Sequence, residues 1–306
     1  SLRDLKARVG PFILRRLKTD KSIISDLPEK VELSEWVGLS KEQKSLYAKT
    51  VEDTLDAIAR APHGKRHGQV LGLLTKLKQI CNHPLNYNSD DENLEIHGRS
   101  GKLARLNEIV ETVFAADERM LVFTHFASWG ERLAGYLTER TGTEVNCYHG
   151  GLSRGARDRM VEEFQSREGP GVLVLSLKAG GTGLNLTAAS HVVLYDRWWN
   201  PAVEDQARDR VWRIGQTKTV ICHRLICPGT IDERVEEVVS GKREIANIVL
   251  PKSSSVGDLD SAQLQAALGL DPEMLLDYEE LPEDPDDAGE PNPDADPAPE
   301  LAGASA

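Results

Sequence analysis

At 306 residues the chain can hold one large or two medium domains with a buried core, and no apolar run approaches the roughly 18 residues of a membrane span. The formal net charge of −12 does not exclude nucleic acid as a partner, because 13 of the 49 acidic residues lie from Asp271 onward, where no Lys or Arg occurs. The rest of the chain is nearly neutral, with 36 acidic against 37 basic residues.

Residues 1–30 alternate between basic and apolar, as in Pro11-Phe-Ile-Leu-Arg-Arg-Leu-Lys18 and Leu27-Pro-Glu-Lys30. A short alternating stretch, Val31 to Leu39, precedes helical pattern from Lys41 to about Ala61. Pro62-His-Gly-Lys-Arg-His-Gly68 reads as a loop with little packing potential. Helical periodicity resumes from Val70 to Cys81, ends at Asn82-His-Pro84, and gives way to polar loop from Asn86 to Arg99. From Ser100 the pattern changes to alternation: helix 101–116, strand Leu121–Thr124, helix 127–140, strand Val145–Tyr148, helix 154–166 and strand Val172–Leu177. Strand Val192–Asp196, helix 202–213, strand Val220–Ile226 and helix 231–248 follow. Such alternation predicts an α/β fold with a parallel sheet covered by helices on both faces. Residues 251–280 read as a weakly helical extension. Six prolines among acidic and small residues from Leu281 onward predict a disordered tail over 281–306, whose default role is solvation. Cys81, Cys147, Cys222 and Cys227 form no CxxC pair and read as reduced core thiols, with no metal site expected. No signal-peptide pattern opens the chain, which reads as cytoplasmic. Ser1 stands where Met would, and the expectation is a piece of a longer polypeptide.

Ligands of open α/β sheets bind beyond the carboxyl ends of the strands, and the unusual residues of this chain cluster there. His125-Phe126 follows the first strand of the alternating region, His149-Gly-Gly-Leu-Ser153 the second, Lys178-Ala-Gly-Gly-Thr-Gly-Leu-Asn185 the third and Asp196-Arg-Trp-Trp-Asn-Pro201 the fourth. Glycines 180, 181 and 183 let backbone N–H groups approach an anion, but Gly-Gly-x-Gly alone fits a tight strand-to-helix turn as well. No GxxxxGK[ST] loop occurs, and Ser100 before Gly101-Lys102 reads as a helix cap. A helix over 202–213 places Gln206, Arg210 and Arg213 at i, i+4 and i+7, so an amide and two guanidiniums share a face; Asp209 and Arg213 form an i,i+4 pair on it.

In order, these segments resemble the C-terminal RecA-like lobe of Swi/Snf-type ATPases of helicase superfamily 2, most closely the bacterial and archaeal subgroup. Phe123-Thr-His-Phe126 falls at motif IV, Ser176–Leu186 at motif V and Gln206–Gln216 at motif VI. Phe12–Arg16, Leu27–Lys30, Leu39–Gln43 and Gln79–Pro84 match landmarks upstream, so the likeness runs over residues 10–250. His125 departs from the Gln of many relatives. The resemblance implies a division into a connector (1–35), a mainly helical insertion (36–99) and the RecA-like lobe (100–250).

It further implies an ATP-driven motor on double-stranded DNA, cytoplasmic and nucleoid-associated, with ATP and its Mg held by an N-terminal RecA-like lobe of the same polypeptide. Arg210 and Arg213 would be arginine fingers on the γ-phosphate. Gly181, Thr182, Gly183, Asn185, Gln206 and Asp209 would line the nucleotide and interlobe face, with Asp209 equally readable as a mere ion-pair partner of Arg213. His149, Gly150, Gly151, Ser153, Lys178, Trp198 and Asn200 would meet DNA without reading sequence. Trp198 or Trp199 packing into the core is the competing reading of the two rings.

Without a Walker A loop or an acidic Mg-binding motif the chain alone is expected to be inactive. Three alternatives differ in kind. A motor acting on a DNA-bound protein complex shares the chemistry, and a strand-separating helicase shares it with another output. A non-catalytic regulatory or nucleic-acid-binding module derived from a helicase lobe does not. A Rossmann enzyme is excluded, since His-Phe-Ala-Ser and not GxGxxG follows Thr124.

Overall fold

The computed structural model describes residues 28–90, 95–177, 179, 184–199, 210–213 and 215–241. Its elements in chain order are β1 (Lys30–Trp36), α1 (Lys41–Arg60), α2 (His63–Asn82), α3 (Pro84–Tyr87), α4 (Gly101–Ala115), β2 (Arg119–Thr124) and α5 (Ala127–Thr141). Then come β3 (Asn146–Tyr148), α6 (Arg154–Ser166), β4 (Gly171–Ser176), β5 (His191–Leu194), β6 (Val220–Ile226) and α7 (Ile231–Val239). The six strands form one sheet in the order β1-β6-β5-β2-β4-β3, with every pair parallel. This is the parallel α/β sheet that the alternation predicts.

Both faces of the central strands are covered, so β4 and β5 are buried at every position and read as continuous apolar runs. On one face, Met120, Val122, Val174 and Val193 pack against Leu106 and Val110 of α4 and Trp129 and Leu133 of α5. Helix α5 lies so close that a Cβ on Gly130 would meet the Cys147 sulfur at 2.9 Å. On the other face, Leu121, Phe123, Leu175 and Leu194 pack with Phe164 of α6, Leu186 and Val211.

Helices α1 and α2 form a separate core of Tyr47, Val51, Leu55, Leu73, Leu77 and Ile80, which reaches the sheet through Cys227 and Ile231. Ser40 and Gln43 make a capping box at the start of α1. The same Gln43, fully buried, donates to the Ile80 and Cys81 carbonyls at 2.7 and 3.1 Å, so one amide starts α1 and closes the last turn of α2.

Three expectations change. The 62–68 loop is instead the first turns of α2, which begins at His63 behind Pro62, a position where proline's fixed φ suits a helix start. Within the alternating stretch 31–39, β1 ends at Trp36 and pairs with β6 from Lys30↔Val220 to Trp36↔Ile226, so the sheet takes an edge strand from ahead of the alternating region. Helix α7 stops at Val239, where Gly241 takes φ +75 and turns the chain; residues 242–248, the 251–280 extension and the 281–306 tail lie outside the described residues. All four cysteines are free and buried. No helix among the described residues is long and apolar enough to cross a membrane.

His83, which caps α3, is fully buried and stacked on Trp129 at 4.8 Å. Its Nε2 donates to the Ile96 carbonyl at 2.8 Å and its Nδ1 accepts from Leu85 N at 3.0 Å, which defines a neutral tautomer. Burial holds its pKa down at about 4, against 6.5 for a free imidazole. A depressed histidine stabilises the fold fully above the unfolded value and loses that contribution as pH falls below 6.5 toward about 4. The loss between pH 7 and pH 5 is expected to be about 2 kcal/mol. Urea titrations should show it in wild type and a flatter pH response in His83→Asn; equal responses would remove His83 as the cause.

Candidate functional site

Because the strands are parallel and in register, their carboxyl ends form one edge: Thr124 lies beside Ser176, and Tyr148 beside Leu175. The edge is laced together, with Leu177 N donating to Thr124 O at 2.8 Å and Tyr195 N to Phe123 O at 3.0 Å. The described parts of the segments singled out after β2, β3, β4 and β5 leave the sheet here, as the parallel alternation required.

After β3, His149 bonds Glu131 through Nε2 at 2.9 Å and accepts from Gly151 N through Nδ1 at 3.3 Å. A Cβ at Gly151 would come within 3.1 Å of that ring, which would have to shift to admit it. Gly150, Gly151 and Ser153 are exposed. Ser153 caps α6, accepting from Ala156 N at 3.2 Å, which places the start of a thirteen-residue helix beside the exposed glycines. Backbone N–H groups in this arrangement suit a phosphate.

After β2 and β5, the His125 ring stacks on Trp198 at 4.3 Å with planes 3° apart. Trp198 is half-buried, whereas Trp199 packs against the α1–α2 core. Of the two tryptophans, then, Trp198 lies on the strand-end edge and Trp199 joins a core. Asn185 is exposed.

The last turn of motif VI differs from expectation. Residues 210–213 form a turn and not the end of a helix, so the expected helix 202–213 does not run through them. Two contacts account for this. Val211 is fully buried in the sheet core, and the Arg210 carbonyl accepts from Leu186 N at 2.9 Å, tying motif VI to the end of motif V. Arg210 is 5% exposed and Arg213 half-buried. Gln216 was not singled out by sequence, yet it clamps this turn: its Nε2 donates to the carbonyls of Thr187, Ala189 and Val211, and its Oε1 accepts from Lys218 N. Lys178, Gly181, Thr182, Gly183, Asn200, Gln206 and Asp209 lie outside the described residues.

Beneath the edge lies a polar network that sequence reasoning missed. Asp196, fully buried, accepts from Thr124 Oγ1 at 2.6 Å, His125 N at 2.7 Å and Asn82 Nδ2 at 2.7 Å. Asn82 Oδ1 in turn accepts from Lys102 Nζ at 3.3 Å. Lys102 and Lys78, both fully buried, hold the two oxygens of Asp232 at 2.5 and 3.1 Å. Burial alone raises the Asp232 pKa, but attraction to Lys102 and then Lys78 outweighs it and keeps the group low. The same carboxylate, opposing burial, raises Lys102. Cys81 and Cys227 lie within 4.8 Å of Asp232, but a cation there would have to displace both ammoniums. The signal that hinted at this network was the unusual Ser100-Gly-Lys102 and Gln79–Pro84 wording; its convergence across 114 and 154 residues was not legible.

Residues 101–215 match the helicase conserved C-terminal domain family, and residues 1–86 match the SNF2-related domain. "Putative ATP-dependent helicase/translocase YwqA" of Bacillus subtilis (strain 168) is 42% identical over 85% of this chain and 28% of its own length. The chain spans about a quarter of the length of the curated relatives it matches. The Sulfolobus solfataricus SWI2/SNF2 ATPase core in complex with dsDNA superposes with a TM-score of 0.65 at 37% identity, covering 87% of this chain and 55% of that one. The isolated C-terminal domain of the Sulfolobus solfataricus SWI2/SNF2 ATPase gives a TM-score of 0.64 at 32% identity, covering 79% of this chain and all of that one. In fold, motif order and extent the chain therefore belongs to the SWI2/SNF2 family of helicase-like ATPases.

Proposed function

We propose that this chain is the C-terminal motor lobe of an ATP-dependent double-stranded DNA translocase. It supplies Arg210 and Arg213 to ATP whose phosphates and Mg are held by an N-terminal RecA-like lobe, and it supplies part of the DNA surface. The supporting observation is positional: the exposed turn 149–153, the His125–Trp198 stack and the end of motif V lie together beyond the carboxyl ends of a parallel sheet, where open α/β sheets bind ligands. Backbone amides at Gly150 and Gly151, the start of α6 and the Trp198 ring make contacts that carry no base code. In this reading Lys178 and Asn200 also contact DNA, and Gly181, Thr182, Gly183, Asn185, Gln206 and Asp209 serve the nucleotide and the partner lobe. The protein acts on the nucleoid, on bare duplex or on a complex bound to it.

The test is ATP turnover by the polypeptide that carries both lobes, with and without duplex DNA. Duplex should stimulate turnover, the stimulation should weaken as salt rises, and the 306-residue chain alone should hydrolyse nothing. Turnover indifferent to duplex would sink the motor reading. Magnesium-dependent turnover by the chain alone would sink the division of labour.

A further inference from the structure

We propose that Asn82 is a positioning residue of this motor: its amide relays the helical unit α1–α2 onto the Asp196 carboxylate that sets the DNA-facing edge. The inference rests on the reading above and adds a residue from a helix that reading leaves out.

Asn82 ends α2 and is fully buried. Its side chain accepts from the Lys102 ammonium on one side and donates to the Asp196 carboxylate on the other. An amide does both from one planar group; a carboxylate would face Asp196 like to like, and an apolar side chain would do neither. Its backbone carbonyl is held as well, accepting from Ser100 Oγ at 2.6 Å and Tyr195 OH at 3.0 Å. The α2 end is thereby tied to Ser100, ahead of α4, and to Tyr195 and Asp196, the first two residues after β5.

Charge balance gives the relay its strength. Lys78, Lys102, Asp196 and Asp232 are each under 4% exposed. Asp232 neutralises one of its two lysines, and the compensating charge is Asp196, reached across the Asn82 amide. All four ionised give zero net charge, the arrangement that a low-dielectric site requires. Asp196 spends its remaining bonds on Thr124 Oγ1 and the His125 backbone, while Lys78 lies 5.9 Å from the centre of the Trp198 ring. The network thus ends on both members of the His125–Trp198 stack.

An exchange of the two groups tests this. Asn82→Asp sets two carboxylates against each other, and Asp196→Asn sets two amides together and removes a charge. The double variant restores one carboxylate and one amide, with the charge now beside Lys102. In the two-lobed polypeptide, each single change should lower duplex-stimulated kcat by about tenfold or more, with basal turnover within about twofold. The double variant should recover to within about threefold of wild type. The ratio of stimulated to basal turnover, read well below the melting temperature, is what a merely structural residue would leave alone. Should a single variant melt too low to assay, Thr124→Val removes one bond to Asp196 at nearly constant shape and should lower the same ratio about threefold. Singles and Thr124→Val that melt lower yet keep the wild-type ratio would overturn the relay. A wild type that duplex does not stimulate would overturn the motor reading itself, and the relay with it.

Discussion

Arg213→Ala, in the polypeptide carrying both lobes, is expected to lower duplex-stimulated turnover by about 10³-fold while duplex binding stays within a few-fold. A guanidinium keeps its charge at any working pH and offers a planar fork of donors to phosphoryl oxygens, so its removal acts on the transition state more than on binding. The two arginines of motif VI are not equivalent probes. Arg210 is 5% exposed, its carbonyl is bonded by Leu186 N, and its neighbour Val211 is in the sheet core. Alanine at 210 therefore mixes lost chemistry with lost packing. Arg213 is half-buried at the outer end of the same turn, ahead of the Gln216 clamp that fixes the backbone independently of its side chain. Arg213→Lys should recover little, because an ammonium keeps the charge and loses the fork. Turnover within about threefold of wild type would make this turn a structural element and leave the arginine-finger reading without support.

The parts of the fold that were legible are those whose chemistry is local. Strand β4 announced itself as Val172-Leu-Val-Leu between turns, and α5 and α6 by apolar spacing on one face, because burial on a parallel sheet imposes those periods directly. The opening turns of α2 were misread for an equally local reason: Pro62, Gly64 and Gly68 are loop-forming residues, and the tertiary core of α1 and α2 overrides their preference. Strand β1 could not be placed, since its partner β6 lies about 190 residues away and an alternating edge segment looks the same on any sheet. The strand-end turns were found because clustered glycine, histidine and tryptophan are unusual residues to meet just after apolar strands, although Trp199 turns out to pack against a core. The network of Lys78, Asn82, Lys102, Asp196 and Asp232 escaped because each member, taken alone, reads as a solvated polar residue. Charged side chains are rarely fully buried, and a single sequence does not reveal which lysine is the exception.

Removing the centre of that network should have the largest effect on stability. Asp232→Ala is expected to destabilise the chain by about 3–5 kcal/mol, a large share of the stability of an ordinary domain. Two ammoniums, each with no exposure, would lose their shared counter-ion. Asp196 reaches them only through an amide and does not replace it. Losing the charges along with their partner should cost less. Asp232→Leu combined with Lys78→Met and Lys102→Met exchanges buried ions for apolar groups of similar reach, and such replacements in other proteins are often near neutral. Here recovery should stop short of wild type, because Asn82 Oδ1 would then lack its donor and Asp196 would be the one buried charge left in the cluster. Urea unfolding of the three forms, wild type included, decides the matter. If Asp232→Ala alone lies within about 1 kcal/mol of wild type, the buried ion cluster is not what holds the α1–α2 unit to the sheet.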